Sequence, residues 1–107
     1  VGEALGATRP TAVNLFWAIA QMLKTARQTL GSVSYIKSVL LTKAQKINAD
    51  DIQICRMIGD RGLEVLPKDP HQLTILTHCN AGALATGGYG TALGVVRSAW
   101  REGRLAK

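Results

Sequence analysis

One segment near the C-terminal end of the chain, residues 73–102, most constrains its fold. An apolar run at 73–77 precedes Cys79, a loop rich in glycine follows at 82–90, and an amphipathic pattern covers 91–102. The run is rich in β-branched residues, so this order predicts a strand, a loop (hereafter the glycine loop, 82–90) and a helix. A strand followed by a helix normally leads to a parallel neighbour strand, which indicates an α/β fold.

The residues before this segment are patterned as helices. The Arg9-Pro10 pair predicts a first helix start, because proline is tolerated in a first turn, and a second helix is predicted over 33–61. Apolar side chains at helical spacing predict the core faces of both helices. These are Val13, Phe16, Trp17, Ala20, Leu23, Ile36, Leu40, Ile47, Ile54 and Ile58.

Two prolines, Pro67 and Pro70, mark the clearest boundary, because a helix cannot continue through them. We therefore expect residues 1–66 to end a helical N-terminal domain, 67–72 to form a linker, and 73–107 to open a parallel-sheet domain. Residues 105–107 resemble the approach to a second strand, and the chain does not begin with Met. The prediction is a fragment of a longer protein.

Composition excludes several classes of function. The net charge is +6, but the basic residues are spread over the whole chain and aromatic residues make up only 5 %. Surfaces that stack nucleic-acid bases need aromatic residues interleaved with basic ones, so no nucleic-acid partner is expected. No apolar run approaches the roughly 20 residues of a bilayer span, so no membrane partner is expected. Two cysteines form no disulfide framework, which predicts reduced thiols in the cytoplasm.

The glycine loop matches neither standard nucleotide motif. Leu93 stands where a dinucleotide fingerprint beginning at Gly88 requires its third glycine, and Gly88 itself stands where a P-loop requires lysine. What remains is a run of backbone N–H groups before a helix, which favours an anion such as a sugar phosphate.

Cys79 is the main candidate for chemistry. A cysteine between the carboxyl end of a strand and a helix N-terminus is placed as a reactive thiol, and an inert core thiol is the alternative. Cys55, within a helical pattern, is predicted to be structural. His71 and His78 have no partners at metal-ligand spacing, so no metal site is expected. Arg9 can grip a phosphate with two hydrogen bonds, or it is an ordinary surface arginine.

Two blocks, Thr-Arg-Pro-Thr-Ala-Val-Asn at 8–14 and Thr-His-Cys-Asn-Ala-Gly at 77–82, closely resemble the methylthioribose-1-phosphate isomerase family of the initiation factor 2B superfamily. The resemblance implies an aldose–ketose isomerase of methionine salvage, and hence of methionine biosynthesis. It would convert 5-methylthioribose 1-phosphate to 5-methylthioribulose 1-phosphate. The second domain is then Rossmann-like.

The resemblance also implies the roles of individual residues. Cys79 is the catalytic cysteine, and Arg9, Asn80 and Gly82 bind the sugar phosphate. No cofactor or metal is implied, a homodimer is expected, and the catalytic aspartate falls outside these residues. Two alternatives stay open: a ribose-1,5-bisphosphate isomerase, and a non-catalytic regulatory subunit of the initiation factor 2B type. Subunits of that type lack the cysteine block that this chain keeps.

Overall fold

A computed structural model describes residues 1–106 of the chain. Its helices are α1 (Gly2–Thr8), α2 (Val13–Gln28), α3 (Val33–Val65) and α4 (Ala92–Arg101), and a short 3-10 helix covers Ala83–Ala85. The chain divides into two compact units, Val1–Ile47 and Asn48–Lys107, with the division inside α3. The predicted domain boundaries at 66 and 73 concern a longer chain and stay a prediction.

In the first unit, α1 packs against α2 through two glycines. A Cβ added at Gly6 would lie 3.0 Å from Cε1 of Phe16, and one at Gly2 would lie 3.3 Å from Cγ2 of Ile19. Helix α1 was not predicted from the sequence, because at seven residues it is too short for a periodic apolar pattern.

The predicted start of the first long helix at Arg9-Pro10 was wrong. The carbonyl of Arg9 accepts the N–H of Ala12 at 3.0 Å, so these residues form a turn between α1 and α2. Helix α2 begins at Val13. Arg9 follows α1 directly as its C-terminal cap residue.

The predicted core face of α2 is largely uncovered by the residues that the structure describes. Val13, Phe16, Trp17 and Leu23 are 42–82 % exposed, because the short α1 covers only part of this face. Ile54 and Ile58 of α3 are exposed as well, so the predicted stripe on that helix was also wrong there.

The core of the second unit is built from small residues where α3 meets α4. Cys55 is 2 % exposed, Ser98 and Ala99 are fully buried, and Gly59 is buried between the helices. A Cβ added at Gly59 would lie 2.6 Å from Oγ of Ser98. Small side chains therefore allow the two helices to approach closely, while Ile54 and Ile58 at neighbouring positions of α3 stay exposed.

The predicted strand at 73–77 is reduced to one parallel bridge, between Leu73 and Leu105. The N–H of Leu73 donates to the carbonyl of Arg104 at 2.9 Å, and the N–H of Ala106 donates to the carbonyl of Leu73 at 2.8 Å. The direction of pairing agrees with the prediction. A longer ladder does not form within residues 1–106 because the pairing partner there consists of only a few residues after α4.

Helix α4 confirms the helix predicted over 91–102, and it ends as its sequence indicates. Gly103 has φ of 67°, its N–H donates to the carbonyl of Trp100 at 3.0 Å, and the N–H of Arg104 donates to Ala99 at 2.9 Å. This pair of hydrogen bonds is a Schellman motif, which satisfies carbonyls that the helix end leaves open. Among residues 1–106, no helix has the length and apolar character to cross a membrane.

Candidate functional site around Cys79

Cys79 lies on the surface in an unusual backbone conformation. Its side chain is exposed, and its φ of 74° places it in the left-handed region, which non-glycine residues rarely adopt. Such a conformation costs free energy and persists only where the surrounding structure determines it, often at functional sites. Cys55 differs, since it is buried and its thiol lies 4.0 Å from Oδ2 of Asp51. The structural role predicted for Cys55 agrees with this burial.

The glycine loop after Cys79 is closed by its own hydrogen bonds. The hydroxyl of Thr86 accepts the N–H of Gly90 at 3.0 Å and that of Gly88 at 3.4 Å, and it donates to the carbonyl of Gly82 at 3.4 Å. The carbonyl of Ala81 accepts the N–H of Thr91 at 3.0 Å. The loop therefore has one defined shape that begins two residues after Cys79.

Asp51 of α3 fixes the middle of the same loop. Its Oδ2 accepts the N–H of Gly87 at 2.6 Å, across 36 residues of sequence. A Cβ added at Gly87 would lie 3.0 Å from Oδ1 of Asn48 and from Oδ2 of Asp51. Glycine at this position therefore allows the backbone to approach the helix closely.

These hydrogen bonds change the predicted anion site. The N–H groups of Gly87, Gly88 and Gly90 all donate to side-chain oxygens of the protein, and that of Leu93 donates to the carbonyl of Ala81 at 3.4 Å. An N–H group that is already bonded to a protein acceptor is not directed at a ligand. The expectation that these N–H groups cradle a phosphate is therefore not met in this structure.

Tyr89 anchors the far end of the glycine loop to α3 and α4. Its hydroxyl lies 2.9 Å from Oγ of Ser98, which donates to Oδ1 of Asp60 at 3.3 Å. Its ring lies under two guanidinium groups, with Cζ of Arg97 at 5.2 Å and Cζ of Arg56 at 6.0 Å from the ring centroid. Both distances are within the range of cation–π attraction.

The same network ends in an ion pair. Nη2 of Arg101 lies 2.9 Å from Oδ1 of Asp60. The hydrogen bond from Arg101 lowers the pKa of the Asp60 carboxyl from its usual value of 3.8, and desolvation opposes this only in part. The same hydrogen bond raises the pKa of Arg101. Asp60 therefore accepts hydrogen bonds as a carboxylate, which keeps Ser98 and Tyr89 in place.

The structure brings three of the four predicted site residues together on one loop. Asn80 follows Cys79 and is exposed, and its Oδ1 lies 4.0 Å from the position of a Cβ at Gly82. Gly82 is buried and precedes the 3-10 helix as its N-cap. Arg9 is exposed and belongs to the first unit. No group of three or more His, Cys, Asp or Glu residues within 1–106 could hold a metal ion.

Two residues that shape this loop, Thr86 and Asp51, were not predicted from the sequence. Thr86 stands directly before two glycines, and a hydroxyl residue in that position is a known turn signal, so it could have been identified. Asp51 carries no such signal, because its partner lies far along the sequence and its surroundings are those of an ordinary helix.

The chain is similar to proteins of one family over its whole length. The family model for the initiation factor 2 subunit family matches residues 1–107. The chain is 71 % identical over 107 residues to methylthioribose-1-phosphate isomerase from Acaryochloris marina (strain MBIC 11017), covering 100 % of this chain and 30 % of that protein. Identity to the protein of the same name from Synechocystis sp. (strain ATCC 27184 / PCC 6803 / Kazusa) is 64 %, again with 30 % of that protein covered.

A solved structure is similar as well. The crystal structure of the translation initiation factor eIF-2B, subunit delta, from A. fulgidus matches with a TM-score of 0.73 and 45 % identity. The match covers 95 % of this chain and 29 % of that one. The chain thus spans about 30 % of the length of the relatives it matches.

Proposed function

We propose that this chain, which belongs to the initiation factor 2 subunit family, is part of a longer enzyme that isomerises 5-methylthioribose 1-phosphate to 5-methylthioribulose 1-phosphate. The observation that carries the proposal is Cys79, an exposed thiol held at φ of 74° beside a closed glycine loop. Relatives named methylthioribose-1-phosphate isomerase, at 64–71 % identity, support the choice of reaction.

The reaction sets clear requirements for the site. The substrate carries phosphate on C1, so its ring does not open to a free aldehyde. Isomerisation then removes hydrogen from C2 and adds hydrogen to C1, which oxidises C2 and reduces C1 with no change in overall formula. Two groups must therefore flank these carbons and hold the sugar still, since correct placement supplies much of the rate acceleration.

Cys79 is the group that we assign to the reacting carbons. An exposed sulfur can reach a bound sugar and either donate a proton to it or stabilise the charge that develops on it. The second acid–base group is an aspartate in the remaining part of the enzyme. Asn80 and Gly82 lie next along the same loop and bind the sugar phosphate.

Arg9 completes the set by binding the phosphate. Its guanidinium is suited to two parallel hydrogen bonds with phosphate oxygens. This role is inferred from the resemblance of its sequence block. It gains weight from the internal pairing of the loop N–H groups, since the phosphate charge then needs a side-chain partner.

The surrounding architecture is proposed on the same grounds. The parallel bridge between Leu73 and Leu105 supports a parallel sheet that continues beyond this chain, as in a Rossmann-like domain. The exposed apolar face of α2 supports burial against further parts of the enzyme or against a second subunit of a homodimer. We place the enzyme in the cytoplasm, where free thiols such as Cys79 stay reduced.

One competing function rests on a specific observation. The solved structure that matches at 45 % identity is titled as a subunit of a translation initiation factor. A binding subunit would need no reactive cysteine and would act through assembly with other proteins. A ribose-1,5-bisphosphate isomerase is the closer alternative in chemistry, since it differs only in the substituent on C5.

The test is ketose formation by the full-length protein, measured on 5-methylthioribose 1-phosphate and on ribose 1,5-bisphosphate. We expect turnover of the first substrate, and loss of turnover by at least about 100-fold in Cys79→Ser and Cys79→Ala. Cys55→Ser, which removes the other thiol but keeps a hydrogen-bond donor beside Asp51, is the matched control and should keep turnover. Turnover of ribose 1,5-bisphosphate alone would identify the protein as a ribose-1,5-bisphosphate isomerase. Turnover of neither, with capture into a complex of several proteins, would favour the subunit function.

A further inference from the structure

We propose that Asp51 is a positioning residue, which fixes the glycine loop beside Cys79 by holding the N–H of Gly87. Its effect on turnover rests on the proposed function, whereas its effect on the loop itself does not.

The contact has the geometry of a strong hydrogen bond. Oδ2 of Asp51 accepts the N–H of Gly87 at 2.6 Å, and hydrogen bonds to a carboxylate are shorter and stronger than those between neutral groups. The thiol of Cys55 lies 4.0 Å from the same oxygen and is a second, weaker hydrogen-bond donor to it. Asp51 is therefore an ordered part of α3.

The contact between Gly87 and Asp51 leaves no space for a side chain at position 87. A Cβ at this position would lie 3.0 Å from Oδ1 and 3.1 Å from the backbone carbonyl of Asn48, as well as 3.0 Å from Oδ2 of Asp51. Any side chain would push the loop away from α3. The carboxylate of Asp51 binds the loop to α3, and the absence of a side chain at Gly87 lets the loop come close enough for this hydrogen bond.

The effect reaches Cys79 through the hydrogen bonds within the loop. Thr86, next to Gly87, holds Gly90 and Gly82 through its hydroxyl, so the loop moves as one piece. Cys79 itself lies three residues before Gly82 and needs its surroundings to keep a φ of 74°. A loop released from Asp51 would let this strained conformation relax and move the thiol away from a bound sugar.

The experiment compares three variants of the full-length protein. Asp51→Ala removes the acceptor, and Asp51→Asn keeps an oxygen that can still accept the Gly87 N–H without the charge. Glu64→Ala is the control, because this carboxylate lies on the same helix, is exposed and pairs with Arg61 within one turn. Two readouts are taken: hydrogen exchange of peptides covering the glycine loop, and kcat and KM for isomerisation.

We expect Asp51→Ala to speed exchange in the glycine loop by about tenfold or more, with α4 unchanged. It should lower kcat by about 10- to 100-fold and change KM much less, since the reacting thiol rather than substrate binding is displaced. Asp51→Asn should recover most of both effects, and Glu64→Ala should match the wild type.

Three results would overturn the proposal. The first is loop exchange in Asp51→Ala equal to that of the wild type. The second is faster exchange throughout α3 and α4 in both Asp51 variants, which is the signature of a general structural role. The third is an unchanged kcat despite a faster loop. A wild-type protein without isomerase activity would instead reject the proposed function, and loop exchange would still decide whether Asp51 holds the loop.

Discussion

The hydroxyl of Tyr89 lies 2.9 Å from Oγ of Ser98, and this hydrogen bond joins the glycine loop to α4. The hydroxyl of Ser98 donates its own hydrogen bond to Oδ1 of Asp60 on α3, so the Tyr89 O–H is the donor to Ser98. Ser98 is fully buried, so each of its hydrogen bonds replaces one that water would supply. The loop is thus anchored at Tyr89 by a polar link and at Gly87 by another.

Removing the Tyr89 hydroxyl should destabilise the protein modestly. Tyr89→Phe keeps the ring under Arg97 and Arg56 but leaves buried Ser98 without its donor, at a cost of about 1 kcal/mol in the free energy of unfolding. Tyr89→Leu should cost about 0.5 to 1 kcal/mol more, because the cation–π contacts are also lost. Denaturant unfolding of the full-length protein measures both, with the exposed Tyr35→Phe as control. Equal stability of Tyr89→Phe and wild type would contradict the buried link.

The Asp60–Arg101 pair should make part of the stability depend on pH. The pKa of Asp60 is lower in the folded protein than its usual 3.8, mainly because of the hydrogen bond from Arg101. A depressed folded pKa stabilises the protein fully above the unfolded value, and this contribution is lost as the pH falls through the folded value. The Asp60→Asn variant should therefore melt at a lower temperature than wild type near neutral pH, and the difference should vanish at low pH.

A pH series of melting temperatures between about pH 6 and about pH 2 checks this prediction. Both side chains of the pair are more than half exposed, at 53 % and 54 %, so the effect should be small and should shrink in high salt. Glu64→Gln, which breaks the exposed pair with Arg61, is the control. A gap between Asp60→Asn and wild type that stays constant down to the lowest pH would exclude titration of Asp60 as its cause.

The parts of the fold that were predictable from sequence are those set by local signals. The end of α4 is an example, because Gly103 is the residue that a left-handed helix end needs, and the structure places it there at φ of 67°. The strand at 73–77 failed because β-propensity alone does not form a ladder without a paired neighbour. The Asp51–Gly87 contact could not be predicted, since it joins residues 36 positions apart.

The core of the second unit also depends on contacts between distant residues that the sequence does not reveal. Sequence periodicity favoured large apolar residues, yet the buried positions where α3 meets α4 are Cys55, Gly59, Gly94, Ser98 and Ala99. Small residues carry no hydrophobic signal of their own, and their role appears only when two helices approach each other. Cys79 was proposed from sequence because it lies between a strand-like run and a glycine-rich loop that precedes a helix, but the sequence carries no signature of its left-handed backbone.

Gly59 should tolerate no side chain. A Cβ there would lie 2.6 Å from Oγ of Ser98 and 2.9 Å from the carbonyl of Gly94, and a backbone atom cannot move aside cheaply. We expect Gly59→Ala to lower the free energy of unfolding by about 1 to 3 kcal/mol, although alanine favours helices over glycine. Gln53→Ala, at an exposed position of α3, should change it little. Stabilisation by Gly59→Ala in denaturant unfolding would show that the helices do not approach this closely.

Arg9 provides the last test, because its role depends on charge and shape together. If its guanidinium holds the phosphate equally in the ground state and the transition state, Arg9→Met should raise KM by about 10- to 100-fold and leave kcat nearly unchanged. Arg9→Lys keeps the charge but loses the two parallel hydrogen bonds, so its KM should lie between that of the wild type and that of Arg9→Met. Arg27→Met, near the end of α2, removes the same charge elsewhere and should leave KM unchanged. Steady-state kinetics of the full-length protein measures all three, and a wild-type KM in Arg9→Met would assign the phosphate to another residue.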